Sequence, residues 1–508
     1  MLAATAAPQR KKQRPKTDER VFLIHSDELK YDRYSDRPDA QIVKGKVHFS
    51  HAGAQLWCDS AYFFQDANSV EAFGHVRFKQ GDTLSLTCDR ADYDGGAQMM
   101  HARHNVVLRH RQQTLYTDSL DYDRIYSNAY FFEGGKLIDG KDRLVSDWGE
   151  YNTVTRQASF FYNVQMQSDK NHVSTDTLHY DTQSKWAEVT GQSNIYTDND
   201  RIYTEHGFYN TETERVRLFE GTKAFGRDRV MAGDTVYYDK LTGVMEAFGN
   251  VSCEDTRNKN ILTSDYAWYN EKTGEALATK RALARDYSRG TDTLYVHGDT
   301  LRLYTYNIET DSVYRVLHGY FHVRAYRSDM QAVADSLVFT TQGNRLTLYR
   351  DPIVWSDGRQ IVGEEINVFM NDSTIDSAHV DRQALMVERL DSLHYNQVAS
   401  QRMRSYYVNG EMSENRAIGN VRVVNYPLEK DSAIVQQNYI ETSKARMFMA
   451  ERKLRRIWAP AGKGTLYPAG TAPAERTQLE GFAWFDYIRP TGPDDVFVWR
   501  PKRRGSEL

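Results

Sequence analysis

The chain has 508 residues, of which 40% are hydrophobic, 12% aromatic and 26% charged, with a formal net charge of −4. That balance offers no basic face for nucleic acid. No apolar run approaches the roughly 18 residues that a membrane-spanning helix needs, and three cysteines are too few for a disulfide scaffold.

Met1 to Ala7 reads as the tail of a signal peptide, with Ala4-Thr5-Ala6 as an A-x-A-like cleavage site. The basic stretch Gln9 to Lys16 then reads as a solvated leader, and residues 1–20 are set aside from the fold. Ordered structure is expected from Val21-Phe22-Leu23-Ile24 onward.

From there two phrases alternate. The first is an apolar residue, two small or polar ones, an acid, three more residues and then an aromatic. Its acids are Asp59, Asp89, Asp118, Asp147, Asp176, Glu205, Asp234, Asp265, Asp299, Asp335 and Glu365, at spacings of 29 to 36 residues. A fixed period of this length marks a repeat architecture, in which each repeat buries itself against its neighbours. The second phrase follows each acid by about half a period, as in Phe73-Gly74-His75-Val76 and Phe248-Gly249-Asn250-Val251. Each period therefore holds two strands. Asn or Asp opens the polar turns that join them, as in Asn152-Thr153-Val154-Thr155 and Asp181-Thr182-Gln183-Ser184. The 33 tyrosines and only 11 prolines suit strands throughout.

The acid, the residue two on and the aromatic four on share strand parity, and that face is apolar. The apolar residue three before the acid has the opposite parity. A bulge between the two is expected to turn both inward. The candidate inner-face residues are thus Leu56, Leu86, Leu115, Leu144, Val173, Ile202, Met231 and Leu262, with Tyr122, Tyr151, Tyr180 and Tyr238.

Beyond about Leu277 the period loosens, and Arg281 to Arg289 reads as a longer connection. Pro460 to Pro473 reads as loop, and Leu479 to Phe485 and Val496 to Trp499 as closing strands. The expected organisation is a leader at 1–20, a regular β region at 21–350, a divergent continuation at 351–460, and a C-terminal loop, closing strands and basic tail at 461–508.

No Walker loop, nucleophile elbow, H-E-x-x-H or dinucleotide glycine triplet is present. His101-Ala102-Arg103-His104 reads as a packed or solvated pair. One acid per period supplies too few oxygens for calcium, so the carboxylates are read as fixing strand corners. No catalytic residue, metal or cofactor is expected. Cys58 and Cys88 hold equivalent places just before the acid in adjacent repeats. They are read as small buried residues, with pairing in an oxidising compartment left open.

The pair of phrases, in Cys88-Asp89-Arg90-Ala91-Asp92-Tyr93-Asp94 and Ser264-Asp265-Tyr266-Ala267-Trp268-Tyr269-Asn270 with Gly249-Asn250-Val251, resembles the OstA-like family, the LptA-type bridge proteins of lipopolysaccharide transport. The resemblance runs over Val21 to Arg350 and more faintly to Met449. It implies an all-β, elongated repeat β-jelly-roll whose V-shaped cleft shields lipid A acyl chains. It implies a non-enzymatic carrier in the periplasm that binds lipopolysaccharide or a related glycolipid. It also implies docking through edge strands, to other lipopolysaccharide-transport proteins or head to tail with itself. The rival fold is a parallel β-helix, and the rival function a packed β-solenoid scaffold or surface adhesin.

Overall fold

The computed structural model describes residues 20–503 apart from 170, 198–199, 289–291, 309, 357, 372–374 and 429–432. The leader and its cleavage site lie outside the described residues. Thirty-six strands are described, and helix is confined to Ala474–Thr477 and two short 3-10 turns. The ladders are antiparallel, from Phe49 against Leu56 near the start to Tyr439 against Thr465 near the end. The fold is therefore an antiparallel β-jelly-roll, and the parallel β-helix is excluded. Two compact units are formed, one through Glu220 and one from Gly221.

The corner anticipated between the apolar residue three before the acid and the residues after it is present, and it explains the bent strands. Gly249 and Asn250 both have positive φ and stand opposite the single residue Asp265. The strand Asn260–Asn270 takes three steps from Ser264 to Ala267, while its partner takes four from Val251 to Ala247. That extra residue is a β-bulge, and it sharpens the local twist until the strand changes wall. The half of each acid-bearing strand before the acid lies in one wall, called A here. The half after it lies in the other, wall B. A Cβ on Gly249 would fall 2.3 Å from Oδ2 of Asp234, so glycine suits both the φ and the close approach there, while His104 and Tyr162 hold the same left-handed place in other repeats.

The acids do not share the inner face, as strand parity alone had indicated. Asp59, Asp89, Asp118, Asp147 and Asp176 are all exposed, because the corner falls on them. Their carboxylates hold the bulge of the paired strand. Asn250 Nδ2 donates to Asp234 at 2.9 Å, Asn163 to Asp147 at 2.7 Å and Asn105 to Asp89 at 2.7 Å. His75 bonds Asp59 at 2.7 Å in the same way.

The residue before the acid is inward and spans the corner. Thr204 Oγ1 donates to the carbonyls of His206 and Phe219, and Ser264 Oγ to that of Tyr266. Cys58 and Cys88 occupy this small-residue place. Both are free and buried, and burial pushes each thiol up to about 12. At neutral pH they are protonated and inert. The Asx turns also form as read. Asn152 Oδ1 accepts from the N–H groups of Val154 and Thr155, and Asp181 Oδ1 from those of Gln183 and Ser184.

The C-terminal region departs from its sequence reading. A strand, Lys463–Pro468, lies within the supposed loop, and Leu283–Asp286 is a strand within the supposed long connection. Leu479 to Phe485 and Val496 to Trp499 are not strands. Their aromatic-rich pattern looks β-like because they pack flat on a sheet face, with Phe485 and Ile488 against Ile353, Trp355 and Val387.

Candidate functional site

In the N-terminal unit the two inner faces meet and close. Across wall A the ladder register places Phe49, Leu56, Phe78, Leu86, Leu108 and Leu115 side by side. The row continues through Leu137, Leu144, Met166, Val173 and Ile195 to Ile202. Across wall B the row runs Tyr93, Met100, Tyr122, Ala129, Tyr151, Ala158, Tyr180, Ala187 and Tyr209, with tyrosine and alanine alternating from Tyr122 on. That alternation lets the walls interdigitate at interior density. Phe78 of wall A packs at 6.4 Å from the ring of Tyr93 and 6.2 Å from that of Tyr122.

The rim of this interior is latched by the same tyrosines. Each of the hydroxyls named next reaches a residue at the end of a strand of wall A. Tyr93 bonds His51 at 2.6 Å and Tyr151 bonds His110 at 2.8 Å. Tyr209 accepts from Asn171 at 2.8 Å. Tyr180 donates toward both Asp139 and Asp142, at 3.1 and 2.9 Å. Those two acids are buried, and Lys185 pairs with Asp139 while Ser168 and Thr211 donate to Asp142. A buried hydroxyl needs such a partner, and the partner here ties one wall to the other. Tyr180→Phe would leave two buried carboxylates short of a donor. A loss of about 1–3 kcal/mol is expected, read as a lower urea midpoint.

The C-terminal unit begins differently. Met231, Cys253, Leu262, Ala284, Val296 and Ala325 follow one another across wall A, and all six are half-buried. On wall B the rim residues Met245, Tyr269, Ala276, Leu303 and Leu317 are half-buried too, while the deeper Ala278 and Leu301 are sealed. The result is an apolar trough with a buried floor and a solvent-facing mouth. Its cause is legible in side-chain size. Cys253, Ala284 and Ala325 alternate with larger residues on wall A, and wall B carries Ala247, Ala267, Ala276 and Ala278, so smaller side chains cover this interior less completely, with Leu262, Ala284 and Leu317 packed against the buried Ala278, Ala282 and Leu301. Further on the rows close again. Ala332, Val354, Ile361, Met386, Val398 and Val423 of wall A join Leu337, Leu348, Ile366, Val380 and Met403 of wall B in one buried cluster.

The sequence-predicted residues therefore divide. Leu56, Leu86, Leu115, Leu144 and Val173 are buried, as are Tyr122, Tyr151 and Tyr180. Ile202, Met231, Leu262 and Tyr238 are half-buried, and Tyr238 donates to Glu271 at 3.0 Å. Sequence reasoning missed Ala284, Val296, Ala325, Leu303 and Leu317, because the acid spacing that located the other rows widens there. His101 and His104 do not converge, each pairing with its own acid, Asp121 and Asp118. A polar groove of about 690 Å³ lies at the corner of the C-terminal unit. Its charges are spent on each other, Arg350 with Asp335 and Arg382 with Glu364, so it is not shaped for an apolar ligand.

Residues 18–176 match the family model described as OstA-like protein. This stretch, less than half of the chain, is what is similar to the OstA-like family. It holds the regular repeats from Asp59 to Asp176 and most of the latched interior. Among solved structures the chain is similar to LptH from Pseudomonas aeruginosa, described as the LptA homologous periplasmic component of the conserved lipopolysaccharide transport device. The identity is 12%, covering 27% of this chain and 81% of that one, with a TM-score of 0.14. None of the curated proteins matches the sequence.

Proposed function

We propose that the protein is a non-catalytic carrier in lipopolysaccharide transport, working in the periplasm and sheltering the acyl chains of lipopolysaccharide or a related glycolipid. The observation that carries this reading is the trough from Met231 to Ala325, whose inner faces are apolar and half-exposed. A free protein leaves such a surface exposed at a cost, which makes it a candidate ligand site. Wall A crosses the trough in six strands, which at about 4.8 Å per strand spans about 24 Å. One leaflet of bilayer hydrocarbon is about 15 Å thick, so an acyl chain fits lengthwise. At about 0.8 kcal/mol per CH₂, sheltering one long chain is worth on the order of 10 kcal/mol. No polar recognition motif is needed for that, and the OstA-like N-terminal stretch agrees with it.

Met231, Leu262 and Tyr238 are the acyl-facing members of the candidate set in this proposal. The packed rows from Leu56 to Val173 then hold the N-terminal unit together without taking an acyl chain. Edge strands supply the docking ends. Phe22–His25 and Glu28–Tyr31 pair on one side only and expose Phe22, Ile24, Leu29 and Tyr31. Lys463–Pro468 at the other end exposes Leu466. Unpaired strands of this kind accept another strand, from a transport partner or from a second copy head to tail.

The test is photo-crosslinking in lipopolysaccharide-producing cells. A benzophenone side chain at Leu262 should give an adduct with the mass of a glycolipid, and one at the exposed Tyr162 should not. Failure at Leu262 with a folded protein would overturn the carrier reading.

A further inference from the structure

Residues 474–503 leave the sheet and cross the outer face of wall A in the C-terminal unit. That face is built to receive them. Gln331, Trp355, Gln360, Val387, Gln397 and Val424 form one register row, so glutamine alternates with an apolar residue strand by strand. The three glutamines are 2%, 0% and 1% exposed. A buried amide is costly unless both of its ends are bonded. The crossing segment bonds both ends of Gln360 and Gln397 and the carbonyl end of Gln331, whose Nε2 donates to the carbonyl of Arg327 at 2.6 Å.

Gln397 Nε2 donates to the carbonyl of Thr477 while its Oε1 accepts from Leu479 N, both at 2.9 Å. Gln360 repeats this pairing with Ala483 O at 2.8 Å and Phe485 N at 2.7 Å. Each glutamine thus presents to the segment the donor and acceptor that a neighbouring strand would present. Gln331 Oε1 accepts from Arg489 Nε at 2.7 Å. Arg324, fully buried, donates to the carbonyl of Ile488 at 2.9 Å and pairs with Asp495. Between these contacts the apolar positions are filled: Leu479 sits with Val424 and Tyr439, and Phe485 with Trp355 and Val387.

We propose that this face is a peptide-binding site whose bound ligand is the chain's own segment 476–497. The segment is a removable clasp, recognised by the glutamine row and two apolar seats rather than held by membership of the sheet. It is joined to the last strand through Ala469–Pro473, where Gly470, Thr471 and Pro473 are exposed, so a hinge is available. A segment leaving as one unit would bare Trp355, Val387 and Val424 together.

The experiment uses the full chain with a specific protease site inserted after Thr471. After cleavage the C-terminal fragment should co-elute with the rest on gel filtration. A labelled synthetic peptide of residues 474–503 should replace it. The same peptide with Phe485→Asp should replace it roughly tenfold less well or worse, since the seat of one aromatic side chain is lost. Because that change is made in the peptide, folding of the chain is untouched. The proposal is overturned if the fragment falls away while the rest stays folded. It is equally overturned if the wild-type peptide never enters, or if the Phe485→Asp peptide enters as well as the wild type.

Discussion

Leu144→Asp is expected to unfold the N-terminal unit, while Met231→Asp is expected to leave the fold intact and remove acyl binding. The two positions are equivalent in the repeat, three residues before Asp147 and Asp234. They differ in what surrounds them. Leu144 is 0% exposed in a row that packs between Leu137 and Met166, with no donor for a carboxylate. An unpaired buried charge there should cost about 4 kcal/mol or more, a large fraction of a domain's stability. Met231 is half-buried at the trough, where an aspartate reaches water, and the expected cost is about 1 kcal/mol or less. Urea unfolding reads the first effect, and the amount of glycolipid that co-purifies reads the second. A Leu144→Asp protein that unfolds like the wild type would mean that the latched interior is open to water.

Raising the pH past about 10 is expected to collapse the latched unit steeply. Burial pushes up the hydroxyls of Tyr93, Tyr122, Tyr151, Tyr180 and Tyr209, with Tyr151 at about 12 and Tyr180 raised further by Asp139 and Asp142. In the unfolded chain all five ionise near pH 10. Below that value both states keep their protons, and these groups give no pH dependence. Above it the unfolded chain releases protons that the folded chain retains, so stability falls as pH rises. The slope is about 1.4 kcal/mol per pH unit for each hydroxyl that the folded chain still holds protonated, with Tyr151 and Tyr180 contributing over the widest range. Urea midpoints between about pH 9 and pH 11.5 measure it, and Tyr151→Phe and Tyr180→Phe should flatten the slope more than Tyr93→Phe, Tyr122→Phe or Tyr209→Phe. A midpoint that does not move over this range would show the hydroxyls to be solvated.

Much of this architecture was written in the local pattern. The period between acids, the Asx turn after each aromatic and the second phrase half a period later together specify short antiparallel strands. The need for a bulge followed from parity alone, since Leu262 and Ala267 cannot otherwise face the same way. The exposure of the acids did not follow, because parity says nothing about where along the strand the corner falls. Two left-handed residues in the partner strand decide that, and they come from another part of the sequence. The C-terminal segment was misread for a related reason. Alternating aromatics make a strand pattern, yet Gln360 and Gln397 satisfy the backbone of that segment from a sheet face.

The sequence alone determined the β class, the repeat, the two strands per period and the apolar identity of the inner rows where the acid spacing is regular. Those are local properties of side-chain alternation and turn chemistry. Only the tertiary structure decided which stretch of the interior is filled and which is open. That depends on the sizes of residues that meet across the two walls, Phe78 between Tyr93 and Tyr122 in one place, and smaller side chains on both walls in another. Those partners stand several strands apart in the chain, so no single repeat contains the information.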